Sequence, residues 1–142
     1  MKMKNILCYT FVLLAPLCAC SQIQINEIFA DNGSCCLDDS LETEDFLELI
    51  NVGDAPIDLA GYYFGDQDGG SVIPSGFPEI TTISGGGILL LWFDNDTSQG
   101  PLHIDAKLNN DGENILGMDS DGNTIIDAIY GPQIEDVSFA AF

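Results

Sequence analysis

From Asp45 to Tyr63 the chain reads DFLELINVGDAPIDLAGYY, an apolar run, a cluster of Gly, Asp and Pro, and a second run that starts at Ile57. Phe46, Leu47, Leu49 and Ile50 make too short a run for a helix before Asn51 to Pro56 break it, so the segment predicts strand, turn, strand. The same rhythm continues downstream. Short apolar runs recur every eight to twelve residues between Gly-rich turns, and no helical periodicity of useful length occurs. That pattern predicts an all-β chain folded as a sandwich.

Ile23 to Ala30 begins with Ile23 and Ile25 on one face and then places Ile28 on the other, a slip that a β-bulge explains. Asp31 to Glu44 is polar and reads as a long loop, and Gly65 to Pro78 reads as a second exposed connection. Ile80 to Ile83 is expected as a brief edge strand. Gly85 to Gly87 turn the chain into ILLLWF, Ile88 to Phe93, which is apolar on both faces. This run is therefore expected to be the most buried strand, with Trp92 on one inner face and Leu89, Leu91 and Phe93 on the other. Leu102 to Leu108 reads as a weaker strand. The NNDG and DSDG turns, Asn109 to Gly112 and Asp119 to Gly122, bracket strands at Ile115 to Met118 and Ile125 to Tyr130.

Residues 1–21 read as a signal peptide. Lys2 and Lys4 give the positive start, and Ile6 to Leu17 give an apolar core that is too short to cross the roughly 30 Å of a bilayer. Two processing readings compete. Signal peptidase would leave a chain starting near Ser21 or Gln22, whereas Leu17 to Cys20 read as a lipobox would put a lipid on Cys20. Both readings export the protein: extracellular or cell-surface in the first, an outer-membrane lipoprotein in the second. About 121 residues then remain, enough for one core.

Without the leader lysines the formal charge moves from −20 to −22, and Lys107 is the only strong base left, for the sequence has no Arg. Binding of nucleic acid through phosphates is excluded, because that affinity comes from Lys and Arg replacing counterions. The expected partner is a protein or a surface polymer, met by a monomer.

Two cysteines remain outside the leader, Cys35 and Cys36, adjacent and in a loop. In an exported chain they read as disulfide candidates, bridged to each other or to another chain, or as free thiols. Zinc is disfavoured at this pair, since one histidine and two thiols fall short of four ligands. Calcium is the one ion that the residues suggest, and no other cofactor is expected. Asp119, Asp121 and Asn123, with Asp111 and Glu113 nearby, have the oxygen-rich spacing of calcium loops, although Tyr130 stands where an EF-hand needs Glu. The competing reading is two acidic hairpin turns. Asp66 with Asp68, and Asp94 with Asp96, carry the same ambiguity. Asp38 and Asp39, close to Glu42, Glu44 and Asp45, are further calcium candidates on a strand-flanking loop.

No catalytic constellation stands out. Among 23 carboxylates some pair always has the look of a glycosidase, and His103 reads as a solvated or turn-packing residue without a nucleophile. Tyr62, Tyr63, Phe64 and Trp92 lie in strands and read as core rather than as a carbohydrate platform.

Four blocks in order, INEIFADNGS (Ile25 to Ser34), DFLELINVGDAPIDLAGYYFGD (Asp45 to Asp66), GGGILLLWFDND (Gly85 to Asp96) and LNNDGENILGMDSDGNTIIDAIYG (Leu108 to Gly131), resemble the lamin tail domain. GPLHIDAKL and GPQIEDVS resemble its secreted bacterial branch. The resemblance implies an immunoglobulin-like β-sandwich over residues 22–131, without enzymatic activity, acting as a cell-surface or extracellular binding or structural module. A calcium-dependent adhesion module and an accessory domain of a secreted hydrolase are the alternatives. Residues 132–142 form a short extension that departs from the family pattern, either a minimal or a truncated end. Val137, Phe139 and Phe142 would make a sticky edge there.

Overall fold

A computed structural model describes residues 21–140. The signal peptide up to Cys20, the lipidation candidate itself and Phe142 lie outside the described residues. Eleven strands and one short helix follow in order: β1 Ile23–Phe29, β2 Asp45–Asn51, β3 Ile57–Asp58, β4 Tyr63–Gly65, β5 Gly70–Val72, α1 Pro78–Thr81, β6 Thr82–Ile83, β7 Ile88–Phe93, β8 His103–Ile104, β9 Asn114–Met118, β10 Thr124–Ile129 and β11 Phe139–Ala140. Two sheets, β11-β1-β2-β7-β8 and β10-β9-β4-β5, carry the sandwich, and β3 pairs with β6 in a small third sheet. The expected all-β immunoglobulin-like sandwich is the fold observed.

The core lies between the sheets. Leu47, Leu49, Leu91 and Phe93 of the first sheet meet Phe64, Ile115 and Ile126 of the second in one apolar cluster. Each such side chain stabilises the fold by about 1.5–3 kcal/mol when fully buried. The β1–β2 register shifts between Ile25 and Glu27, which is the bulge that turns Ile28 inward.

Several elements differ from expectation. β2 is the more deeply buried strand of its pair, while β7 leaves Ile88 exposed and Trp92 half-buried. The alternation is as expected, but one face of β7 is the outside of the sheet. There Phe46 stacks on Phe29 at 5.1 Å and meets Trp92 edge-on at 5.5 Å. Ile80 sits in α1, not in a strand, because Pro78 fixes a helical φ at the first position and the Ile80 and Thr81 amides both turn back to Phe77 O. The connection after Gly65 contains β5, whose Gly70–Val72 carry too few side chains to register as a strand in sequence.

Two polar residues fix the frame. Asn51 is fully buried, and its Nδ2 donates to Ala55 O and Ile83 O while its Oδ1 accepts the Gly53 amide. The turn after β2 and strand β6 are thereby tied together. At the other end Tyr130 Oη accepts the Asn109 amide and donates to Asn109 O or to Glu113 Oε1. Burial, followed by the Glu113 carboxylate, raises its pKa. Gly112 completes this corner: its φ is +96°, and a Cβ would lie 2.5 Å from Tyr130 O.

Candidate functional site

The loop of residues 31–44 is ordered from within. Asn32 is buried, with Nδ2 donating to Cys36 O and Glu44 O, Oδ1 accepting the Cys35 and Cys36 amides, and its own amide donating to Asp45 Oδ1. Burial pushes the Asp45 carboxyl above its ordinary range against that donated bond. Further along, Leu37 bridges Thr43, and Asp38 Oδ1 accepts the amides of Ser40 and Glu42 at 2.8 and 2.9 Å. Leu41 takes the left-handed φ of 66° that lets this small loop close.

The loop folds Asp38 inward to 4 % exposure. It meets Asp94, which directly follows β7, and His103, the first residue of β8. β7 and β8 pair in parallel, with Trp92 opposite His103, and this is the only parallel pair among the described strands. The pairing brings the end of one strand beside the start of the next. His103 Nδ1 lies 2.5 Å from Asp94 Oδ2, both side chains being nearly without solvent contact. One ligand atom from each of Asp38, Asp94 and His103 lies within 4.8 Å of the other two. Asp38 Oδ2 is buried and accepts no hydrogen bond.

Of the two readings of His103 the solvated one is corrected, since the residue is buried and packs against Asp94 at the start of the 94–101 turn. Among the described residues no Ser, Thr or Cys is hydrogen-bonded to it. Lys107 bridges Asp94 through the backbone, but its Nζ points to Glu44, 4.0 Å away, and stays mostly in solvent. The Glu44 carboxyl is raised by burial, an effect that Lys107 opposes.

Beside this cluster lies an open cleft of about 640 Å³ whose lining includes Asp31, Asp45, Asp66, Asp68, Asp105 and Glu113, with Lys107 as the one base. Asp66 caps its own turn through the amides of Asp68 and Gly69. Asp38, Asp94 and His103 do not line the cleft.

The family model of the Lamin Tail Domain matches residues 18–132, most of the chain. The chain belongs to the lamin tail domain family. That family is immunoglobulin-like and typically non-catalytic, serving as a binding or structural module. No curated protein and no solved structure matches.

Within this lamin tail domain the other sequence candidates stand apart from the buried cluster. Asp39 is exposed on the same loop. Asp119 Oδ1 accepts the amides of Asp121 and Asn123, and Asn123 Nδ2 donates back to the carboxylate, so the three residues form a self-contained surface turn. That turn holds the Asp119 carboxyl below its usual range, the Asn123 side chain being the largest cause. Cys35 and Cys36 place their sulfurs 2.8 Å apart with no bond between them. The Cys35 contact and then burial push Cys36 up to about 11. Sequence reasoning singled out Asp38 and noted Asp94, but did not join either to His103. The available signal was a lone histidine nine residues beyond an Asp that ends an apolar strand.

Proposed function

We propose that this lamin tail domain is an exported, non-catalytic module that binds a basic protein segment or cationic surface polymer outside the cytoplasm. The acidic cleft supports this reading most: six carboxylates face one lysine in an open groove, on a scaffold whose family binds or builds rather than catalyses. Such a surface steers cationic partners and holds them in a salt-dependent way. The leader supports export, and the charge of the chain disfavours nucleic acid.

The test is biolayer interferometry with immobilised polylysine. Binding at low salt that weakens at least tenfold by 0.5 M salt is expected, together with loss in a triple variant Asp31→Asn, Asp68→Asn, Asp105→Asn that melts like the parent. Equal binding by that variant would move recognition away from the cleft. The mass of the protein recovered from outside its native cells reports the export step separately, through leader removal and any lipid on Cys20.

A further inference from the structure

We infer that Asp38, Asp94 and His103 form a binding site for one divalent cation of the zinc class, which fastens the loop of residues 31–44 to the end of the sandwich. This goes beyond the cleft reading and does not depend on it.

The first support is charge. Two carboxylates are withdrawn from water at one place, Asp38 at 4 % and Asp94 at 7 % exposure, and one imidazole stands between them and neutrality. A buried carboxylate without a counter-charge is strongly unfavourable. His103 contacts Asp94 and gives no hydrogen bond to Asp38, and the nearest lysine ammonium is directed at Glu44. A neutral imidazole, two carboxylates and a dication sum to zero.

The second support is the unused atom. Asp38 Oδ1 is committed to the Ser40 and Glu42 amides, while Oδ2 is buried and unpartnered in a carboxylate that brings one oxygen within 4.8 Å of ligand atoms of Asp94 and His103. A ligand oxygen held by its outer neighbours and left free on the inner side is how metal sites orient their carboxylates. Asp94 is arranged similarly, for its Oδ1 accepts the Asp96 amide while Oδ2 faces the histidine.

The donor set chooses the metal. Calcium and magnesium favour all-oxygen shells, whereas an imidazole with two carboxylates suits zinc and its first-row neighbours. For Nδ1 to bind the ion as part of a neutral imidazole, the proton between Nδ1 and Asp94 Oδ2 moves to Nε2 of a neutral ring or leaves to solvent from a protonated one. The two atoms then part from 2.5 Å to roughly 3.3 Å, the separation that bonds of about 2.0–2.1 Å impose at a tetrahedral centre. The sequence reading disfavoured zinc by counting Cys35 and Cys36 with the lone histidine, and the fold pairs that histidine with aspartates instead.

The test is calorimetric titration of the purified, chelator-treated protein with Zn²⁺, followed by thermal melts. One ion per chain is expected, with the midpoint rising by roughly 10 °C at a hundredfold excess over Kd. Asp38→Asn keeps the loop's acceptor oxygen and removes the buried charge, so this variant is expected to fold at least as well and to lose the Zn²⁺ response. Loss of the response in Cys35→Ser/Cys36→Ser with retention in Asp38→Asn would place the ion on the thiols and overturn the assignment. So would a response to Ca²⁺ alone, or no binding to the folded parent. Co²⁺ in place of Zn²⁺ is expected to show no thiolate charge-transfer band, and such a band would likewise count against the site.

Discussion

Asp38 and Asp119 make the same local structure with opposite consequences. In each, Oδ1 accepts the amides two and four residues on, closing a small acidic turn. At Asp119 the second oxygen is also satisfied, by Asn123 on the open surface. At Asp38 it is buried and unpartnered, in a carboxylate that comes together with Asp94 and His103. Identical local chemistry is a finished turn in one place and an unfinished site in the other, and the difference comes wholly from what the fold packs against it.

The comparison breaks most visibly at His103. His103→Leu leaves the Asp94 carboxylate buried with Oδ2 unpartnered and is expected to lower stability by about 3–5 kcal/mol in urea unfolding of the metal-free protein. The counterpart Asn123→Ala is expected to leave the midpoint unresolved from the parent. Next comes Asn32→Ala, which removes from the 31–44 loop the side-chain bonds to Cys35, Cys36 and Glu44. A loss of about 2–3 kcal/mol, with faster proteolysis between residues 33 and 44, would show that the loop is held from within, whereas unchanged cleavage would argue against it. A smaller effect of the other sign is expected for Asp38→Asn without metal, a gain of about 1–2 kcal/mol from relieving the buried, unpaired carboxylate. Destabilisation there would mean that the carboxylate is already compensated.

The weakest effect is in pH, and it has opposite signs at the two places. The Asp119 carboxyl is held below its ordinary value, so its contribution is present above about 3.8 and fades as pH falls through the depressed folded value. Asp45 and Glu44, beside the Asp38 loop, are raised by burial. Their contribution is present in acid and is lost as pH rises through the raised values. Amide exchange followed from pH 6 towards pH 3 is expected to protect the loop of residues 31–44 relative to the Asp119 turn, and a uniform response would remove the distinction.

The strands were legible because alternation and turn residues are local: the Ile25 bulge and the β9–β10 hairpin follow from the residues themselves. What stayed hidden depends on which face meets what. ILLLWF reads as wholly buried, yet one face of β7 is the outer surface, where Trp92 is half-buried against Phe46. Pro78 outweighed a strand reading of Ile80. His103 was illegible because its burial requires the parallel β7–β8 pairing and a loop from elsewhere in the chain. No spacing rule connects residues 38, 94 and 103.

The β2–β7 register, which sets Asp45 opposite Phe93, also has a kinetic consequence. The β9–β10 hairpin closes over a few residues, but β2 and β7 must find each other across the intervening chain, and pairings of that span are slow. Asp38 lies just before β2 and Asp94 just after β7, so their meeting awaits this pairing. The chain must therefore pair β2 with β7 before anything can be held between the three side chains.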